Sequence, residues 1–349
     1  MKIHEKYIRR CIELGENGLG STAPNPMVGC VIVHQDSIIG EGFTSPFGGP
    51  HAEVNAIESV EDKSLLEKAT LYVTLEPCFH FGKTPPCADL IIAYQIPEVV
   101  IGLLDPHEKV GGKGIEKLKK SGCEVTIGVL EEECRAHHKR FLSFHERQRP
   151  YIILKWAETQ DGFIAPEKSA RSNTPEPYWI TNSYSRQRVH QWRSEEQAIL
   201  VGTQTVLEDN PSLTLRDWVG KHPIRIVLDR DLRIPKDFKV LDQESKSIVI
   251  TQNSDANKMI KGVHYEIADF NRELATQICE ILYRNSINSV IVEGGTQTLQ
   301  TFIDAKLWDE ARIFRGEITF GNGLVAPKIS GKVKTSTKIQ SDSLTLLTP

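Results

Sequence analysis

No stretch of this chain approaches the ~20 consecutive apolar residues that a bilayer-crossing helix needs, which argues against a helical membrane protein. The first residues, Met1-Lys2-Ile3-His4-Glu5-Lys6, are charged and carry no apolar run, so no secretory leader is expected and a cytoplasmic location is. A basic excess is missing too. The 42 Lys and Arg stand against 46 Asp and Glu, a net charge of -4, which disfavours non-specific nucleic-acid binding. Low-complexity segments are absent, the second half does not repeat the first, and no G-x-G-x-x-G fingerprint supports a Rossmann unit. The seven cysteines are odd in number and scattered, which suits a reducing compartment with some cysteines serving a metal.

At 349 residues the chain is long enough for two domains of roughly 150 to 200 residues, each with its own core. Ile8, Cys11 and Ile12 mark a helix from Lys2 to about Leu14. A turn at Ser21-Thr22-Ala23-Pro24-Asn25-Pro26 leads into an apolar strand, Val28 to Val33, with a hairpin partner at Ser37 to Phe43. His51 opens the next helix, Thr70 to Leu75 is a strand, and Cys87 starts a helix to about Tyr94. A strand at Val99–Leu103, a helix near Gly114–Lys120 and a strand near Glu124–Ile127 follow, an alternation that indicates a layered α/β domain. Leu130 to about Gln148 reads as one charged helix ending at Arg149-Pro150, where the boundary between domains 1–148 and 149–349 is placed. The alternative is that this helix packs on the second domain. Beyond it, strands at Tyr151–Ala157, Ala198–Gly202, Ile224–Leu228, Ser247–Thr251 and Ser289–Val292 alternate with helices from about Ser183 to Ser194 and from Gly295 to about Ala305, again α/β.

Chemistry concentrates in His51-Ala52-Glu53 and in the segment Glu76-Pro77-Cys78 to Pro86-Cys87. A histidine and two cysteines can hold one zinc ion with a fourth position open, the pattern of a catalytic rather than a structural site. Zinc deaminases carry an H-x-E and P-C-x-x-C signature in which the glutamate is not a ligand. His51, Glu53 and Cys78 match it, whereas eight residues rather than two separate Cys78 from Cys87. The ligands sit where helix N-termini favour thiolate over thiol. Zinc lowers the pKa of bound water, and Glu53 would take that proton and return it to a leaving amine as water attacks an amidine-like ring carbon. A closed knuckle with His80 as fourth ligand is the structural alternative, and it leaves Glu53 and the Asn25 turn without a purpose. Cys11, Cys30, Cys123, Cys134 and Cys279 read as small core residues.

Three segments, Pro24-Asn25-Pro26-Met27-Val28-Gly29, Pro50-His51-Ala52-Glu53 and Pro77-Cys78-Phe79-His80-Phe81-Gly82-Lys83-Thr84-Pro85-Pro86-Cys87, together resemble the bifunctional riboflavin biosynthesis deaminase/reductase family. The long loop separates it from cytidine and tRNA-adenosine deaminases. The resemblance implies a cytidine-deaminase-like three-layer α/β/α domain with His51, Cys78 and Cys87 on zinc, one ion per chain, and Glu53 catalytic. It implies that Asn25 holds a pyrimidine, with His80 and Lys83 near its ring and phosphate. The substrate implied is 2,5-diamino-6-ribosylamino-4(3H)-pyrimidinone 5′-phosphate. One departure is Thr44, where the family often has histidine; its hydroxyl can still donate to phosphate, without charge.

By residues alone the second half shows no metal cluster and no nucleophile–base pair, which suits cofactor chemistry. Glu293-Gly294-Gly295-Thr296, between a strand and a helix, is either a phosphate cradle or an ordinary turn. Lys155 to Ala165, Trp179-Ile180-Thr181, Asp209-Asn210-Pro211-Ser212-Leu213-Thr214-Leu215-Arg216 and that glycine segment resemble the same family's reductase domain, which implies a dihydrofolate-reductase-like α/β fold and NADPH. By this resemblance the cofactor contacts Glu158, Trp179, Thr205, Asp209, Gly295, Thr296, Gln297, Thr298, Leu299, Gln300 and Thr301. The substrate contacts Arg193, Leu213, Arg216 and Glu293; two arginines suit a phosphate, and a solvated helix face is the alternative for Arg193. Phe163 and Glu158 depart from the family's pattern. The two resemblances cover nearly the whole chain. The expected partners are a phosphorylated pyrimidine and further copies of the chain in a homo-oligomer, with no nucleic acid and no membrane.

Two other functions fit parts of the pattern. A nucleoside or base-editing deaminase with a C-terminal binding module would act on cytidine or RNA without oxidising NADPH; the Lys83-Thr84-Pro85-Pro86 loop and the missing basic excess speak against it. A zinc-stapled structural protein would show four protein ligands and no turnover.

Overall fold

The computed structural model describes residues 2–79, 85–106, 111–171, 174–255 and 257–349. The chain forms two compact units, Met1–Gln148 and Arg149–Pro349.

The first unit opens with α1 (Lys2–Glu16), which buries Tyr7, Ile8 and Cys11. A turn with a cis Ala23–Pro24 bond leads to β1 (Gly29–His34), which pairs antiparallel with β2 (Ser37–Phe43). Then come α2 (Ala52–Ser59), β3 (Thr70–Leu75), α3 (Cys87–Ala93), β4 (Glu98–Leu103), α4 (Lys113–Lys120) and β5 (Glu124–Ile127). The sheet order is β2-β1-β3-β4-β5, antiparallel at its first two pairings and parallel at its last two. Parallel strands need crossover helices, and α3 and α4 are those crossovers. The expected single helix from Leu130 to Gln148 is two, α5 (Glu131–His137) and α6 (Lys139–Arg147). They meet at His138, whose fully enclosed ring hydrogen-bonds Thr74 Oγ1 at 3.0 Å; that tertiary contact fixes the residue where a charge pattern alone predicts continuity.

The second unit begins with β6 (Tyr151–Glu158) and β7 (Phe163–Pro166). It continues through α7 (Ser183–Glu195), β8 (Ala198–Gly202), α8 (Thr203–Asp209), β9 (Ile224–Leu228), β10 (Ser247–Thr251), β11 (His264–Ile267), α9 (Leu274–Arg284), β12 (Ser289–Val292) and α10 (Thr296–Asp304). Four strands complete it: β13 (Glu310–Arg315), β14 (Gly323–Val325), β15 (Lys332–Ile339) and β16 (Asp342–Thr348). A nine-stranded sheet runs β11-β10-β9-β8-β12-β6-β13-β16-β15, parallel from β11 to β13 and antiparallel at β16 and β15. Its central strands β8, β10 and β12 are buried along their whole length, as a parallel sheet covered on both faces requires. A separate two-stranded ribbon pairs β7 with β14. Among the described residues no helix is long and apolar enough to cross a membrane.

Candidate active site

His51 is the N-cap of α2, and its carbonyl accepts the Asn55 amide at 3.1 Å. The helix sits hard against β2: a Cβ at Gly42 would lie 2.4 Å from the Ala56 nitrogen, so glycine there admits the helix backbone. Asn55 Nδ2 donates to the Phe43 carbonyl at 2.7 Å and pins the first turn of α2 to the strand end. Cys87 is the first residue of α3, and Cys78 lies on the loop that follows β3.

The three donor atoms converge. His51 Nδ1 is 3.5 Å from Cys78 Sγ and 3.4 Å from Cys87 Sγ, and all three lie within 4.8 Å of one another. Tetrahedral zinc, with bonds of about 2.0 Å to nitrogen and 2.3 Å to sulfur, sets its ligand atoms about 3.5 to 3.8 Å apart. The residues therefore fit that ion. The Cys87 N–H donates to Cys78 Sγ at 3.3 Å. Hydrogen bonding with the Cys87 thiol, then with His51 and the Cys87 amide, outweighs burial and holds the Cys78 thiol down at about 4. The Cys87 thiol is pushed upward by its bond to Cys78 and by burial. His51 is raised by its hydrogen bond to Cys78. Glu53, 3 % exposed, is lifted to about 7 by burial and by the Cys78 charge, which leaves it able to take and return a proton near neutrality; a bound cation acts in the opposite sense.

Glu76, to which the motif assigns no role, anchors this loop. Its carboxylate accepts amide hydrogens from Gly112 at 3.0 Å, Gly114 at 3.1 Å, Ile115 at 3.4 Å and Asp105 at 3.4 Å. A Cβ at Gly114 would lie 2.3 Å from the Pro77 carbonyl oxygen, so glycine lets the start of α4 reach the residue before Cys78. An acidic residue beside Pro-Cys at a strand end, with Gly111-Gly112-Lys113-Gly114 further on, is the signal that could have found it.

Asn25 sits half-buried in the turn after α1. The chain beyond it is held from three sides: Met27 O by His137 Nε2 at 2.7 Å, Val28 N by Thr44 Oγ1 at 3.0 Å and Gly29 N by Thr74 Oγ1 at 3.3 Å. Thr44 is thus a correction. Its side chain is 3 % exposed and bonded to Val28, so its hydroxyl supports the Asn25 turn instead of reaching out to a phosphate. His80 and Lys83 lie outside the described residues. The five remaining cysteines are buried and unpaired, as small core residues would be.

In the second unit three charged groups meet just past the carboxyl end of β12, the side of an open α/β sheet where ligands bind. Arg193 on α7 donates through Nε and Nη2 to Glu293 Oε1 and Oε2, at 3.2 and 2.8 Å, and Lys155 Nζ is 3.5 Å from Glu293 Oε2. Burial pushes the Glu293 carboxyl up, but the Arg193 and Lys155 charges prevail and hold it at about 2. The Arg193 side chain is 12 % accessible, which excludes a solvated helix face, and its fork is engaged by Glu293. Arg216 is exposed. Leu213 is buried at a left-handed φ of 58°.

Gly295 is the N-cap of α10, and its N–H donates to Thr205 Oγ1 at 3.0 Å, joining two expected cofactor contacts. Thr296 Oγ1 donates to Val325 O, Thr301 Oγ1 to Gln297 O, and Gln300 bonds Lys328 and Asp304. A Cβ at Gly294 would lie 2.7 Å from Thr298 Cβ, and Leu299 is turned fully into the core. Asp209, at the end of α8, is raised to about 6, first by burial. Trp179 is 55 % exposed, with the Arg186 guanidinium 4.8 Å from its ring. Glu158 is tied to the Trp156 indole at 3.0 Å and to Arg315 at 2.6 Å.

Comparison with known proteins agrees with both halves. Residues 1–103 match the cytidine and deoxycytidylate deaminase zinc-binding region, and residues 150–348 match the RibD C-terminal domain. Riboflavin biosynthesis protein RibD of Aquifex aeolicus is 41% identical over 337 residues, 95% of this chain and 89% of that protein. Its namesake from Bacillus amyloliquefaciens is 40% identical over 95% of this chain and 89% of its own length. The crystal structure of a Thermotoga maritima diaminohydroxyphosphoribosylaminopyrimidine deaminase/5-amino-6-(5-phosphoribosylamino)uracil reductase superposes with a TM-score of 0.89 at 40% identity, covering 100% of this chain and 99% of that one. A first half matched to a zinc-binding deaminase region, where a His/Cys/Cys cluster able to hold a metal stands beside a buried glutamate, and a second half matched along its length leave one assignment: the chain belongs to the RibD family of riboflavin biosynthesis proteins.

Proposed function

We propose that this chain is a bifunctional riboflavin biosynthesis enzyme that deaminates 2,5-diamino-6-ribosylamino-4(3H)-pyrimidinone 5′-phosphate and then reduces the ribosyl chain of the product with NADPH. In this reading residues 1–148 are the deaminase and 149–349 the reductase. The observation that carries it is the convergence of His51 Nδ1, Cys78 Sγ and Cys87 Sγ beside Glu53, in a chain whose other half matches the RibD C-terminal domain. His51, Cys78 and Cys87 hold one zinc ion, which when bound supplies Lewis acidity to a water. Glu53 accepts a proton and returns it to the departing ammonia. Asn25 orients the pyrimidine, and His80 and Lys83 complete its ring and phosphate contacts.

In the second half NADPH, when bound, supplies the reducing equivalent. Thr205, Gly295 to Thr301, Asp209, Trp179 and Glu158 form its site. Glu293, kept ionised by Arg193 and Lys155, faces the substrate with Leu213, and Arg216 is the exposed cation suited to its phosphate. A cytoplasmic setting, which the free cysteines suit, and a homo-oligomeric assembly belong to the same reading.

The test is a coupled assay with the diaminopyrimidine substrate. Ammonia release should precede NADPH oxidation. A chelator should stop the first, while the aminouracil product added directly still supports the second. Zinc-loaded protein that releases no ammonia, or NADPH oxidation from the diaminopyrimidine without ammonia release, would overturn the proposal.

A further inference from the structure

The segment Asp209 to Asp217 carries three of the expected ligand contacts, yet past the end of α8 at Asp209 it is irregular chain with two non-glycine residues at positive φ, Asn210 at 38° and Leu213 at 58°. Such backbone persists only where surrounding groups over-determine it. The groups that do so here are side chains from elsewhere in the second unit. Asn210 Oδ1 accepts the Lys239 amide at 2.9 Å, and the fully buried Arg225 guanidinium reaches the Ser212 carbonyl at 3.4 Å. Two consecutive amides are then received by two histidines: Leu215 N–H by His222 Nδ1 at 3.1 Å and Arg216 N–H by His190 Nδ1 at 3.4 Å.

His190 stands apart from the other anchors because of its neighbours. It lies on α7 three residues before Arg193 and is 4 % exposed. An Nδ1 that accepts an amide hydrogen carries no proton, so the ring's proton is on Nε2, which faces Asp217 Oδ2 at 3.6 Å. Burial, and then the Arg193 charge, keep the ring neutral by lowering it to about 4. One side chain therefore touches the main chain of Arg216 from the helix that supplies Arg193 to Glu293.

We infer that His190 is a positioning residue for the anionic end of the reductase substrate: by receiving the Arg216 amide it sets the main chain from which that guanidinium reaches out, in register with the Arg193–Glu293 pair. This rests on the reductase reading of the second unit. His190 itself touches neither substrate nor cofactor in this scheme, and the effect belongs in KM for the phosphorylated substrate.

The test compares H190L, which fills the space without an acceptor, with H190N, whose amide oxygen occupies the place of Nδ1. Loss of one hydrogen bond predicts KM for the phosphorylated aminouracil about tenfold higher in H190L. KM for NADPH and kcat should stay within about threefold, and H190N should restore KM to within about threefold of the parent. With the dephosphorylated substrate the two variants should be equal. Equal KM increases in H190L and H190N, a matching rise in KM for NADPH, or no change in H190L would overturn the inference. Calorimetric titration of ribose 5-phosphate into the same three proteins separates the two readings. If the parent oxidises no NADPH but H190L alone binds the phosphate more weakly, the reductase reading fails and the role of His190 stands. Equal binding by all three proteins removes that role whatever the activity.

Discussion

In the first unit the groups proposed for chemistry lie within one span from His51 to Cys87, and their residue types alone narrow the reaction. In the second unit the comparable cluster joins Lys155, Arg193 and Glu293 from β6, α7 and the end of β12, the last two 100 positions apart. The contrast follows from what performs the reaction. Where side chains hold a metal, only a few residue types suffice, and they declare themselves. Where a cofactor carries the chemistry, the protein positions two molecules with ordinary charges, and those charges mean little until the fold assembles them.

That contrast can be broken at either site. The largest effect is expected for E53Q. Ammonia release should fall about a thousandfold, with zinc content and NADPH oxidation on directly added aminouracil unchanged. Metal analysis alongside both assays checks this, and retained deamination would return Glu53 to a structural role.

E293Q should act on the second site alone. It leaves Arg193 and Lys155 enclosed with their shared anion removed, a loss of about 3 to 5 kcal/mol for an unpaired buried charge. Denaturant unfolding followed on the second unit, together with NADPH oxidation, should show both reduced while ammonia release persists. The pH dependence has a fixed sign. The Glu293 carboxyl is depressed in the folded chain, so its contribution is complete above the unfolded value of about 4.3 and is lost as pH falls toward about 2. The parent should therefore lose its advantage over E293Q in that window; a stability difference independent of pH would contradict the assignment.

The smallest effect is expected for T44V. Removing the acceptor of the Val28 amide should destabilise the first unit by about 1 to 3 kcal/mol. KM for the diaminopyrimidine should rise only modestly, through the Asn25 turn. A tenfold increase in KM with unchanged unfolding would instead restore Thr44 as a phosphate contact.

Legibility followed local physics closely. β3, β8, β9, β10 and β12 lie on the spans expected from apolar runs and β-branched residues, because each is a short, well-punctuated stretch buried along nearly all of its length. β2 and β5 lie on their expected spans too, although β2 opens with two exposed residues and β5 is exposed at three of four. β15, Lys332-Val333-Lys334-Thr335-Ser336-Thr337-Lys338-Ile339, went unread since it is exposed almost throughout and is a strand only through its pairing with β16. α9 was missed although Ala275, Ile278, Cys279 and Leu282 form a buried stripe at helical spacing. The break at His138 had no local signal, because it arises where the ring meets Thr74 on a strand 64 residues earlier.

From the sequence by itself came the α/β class, the triad of metal-binding residue types and the glutamate beside them, since zinc coordination and helix N-termini restrict the residues that can serve. The tertiary structure decided the rest: that Glu76 ties the Cys78 loop to the start of α4, that Thr44 serves the backbone, that Glu293 takes up the Arg193 fork, and that His190 receives the Arg216 amide. Each of these is a hydrogen bond between positions far apart in the chain. Its partner is chosen by packing, which no local pattern of residues encodes.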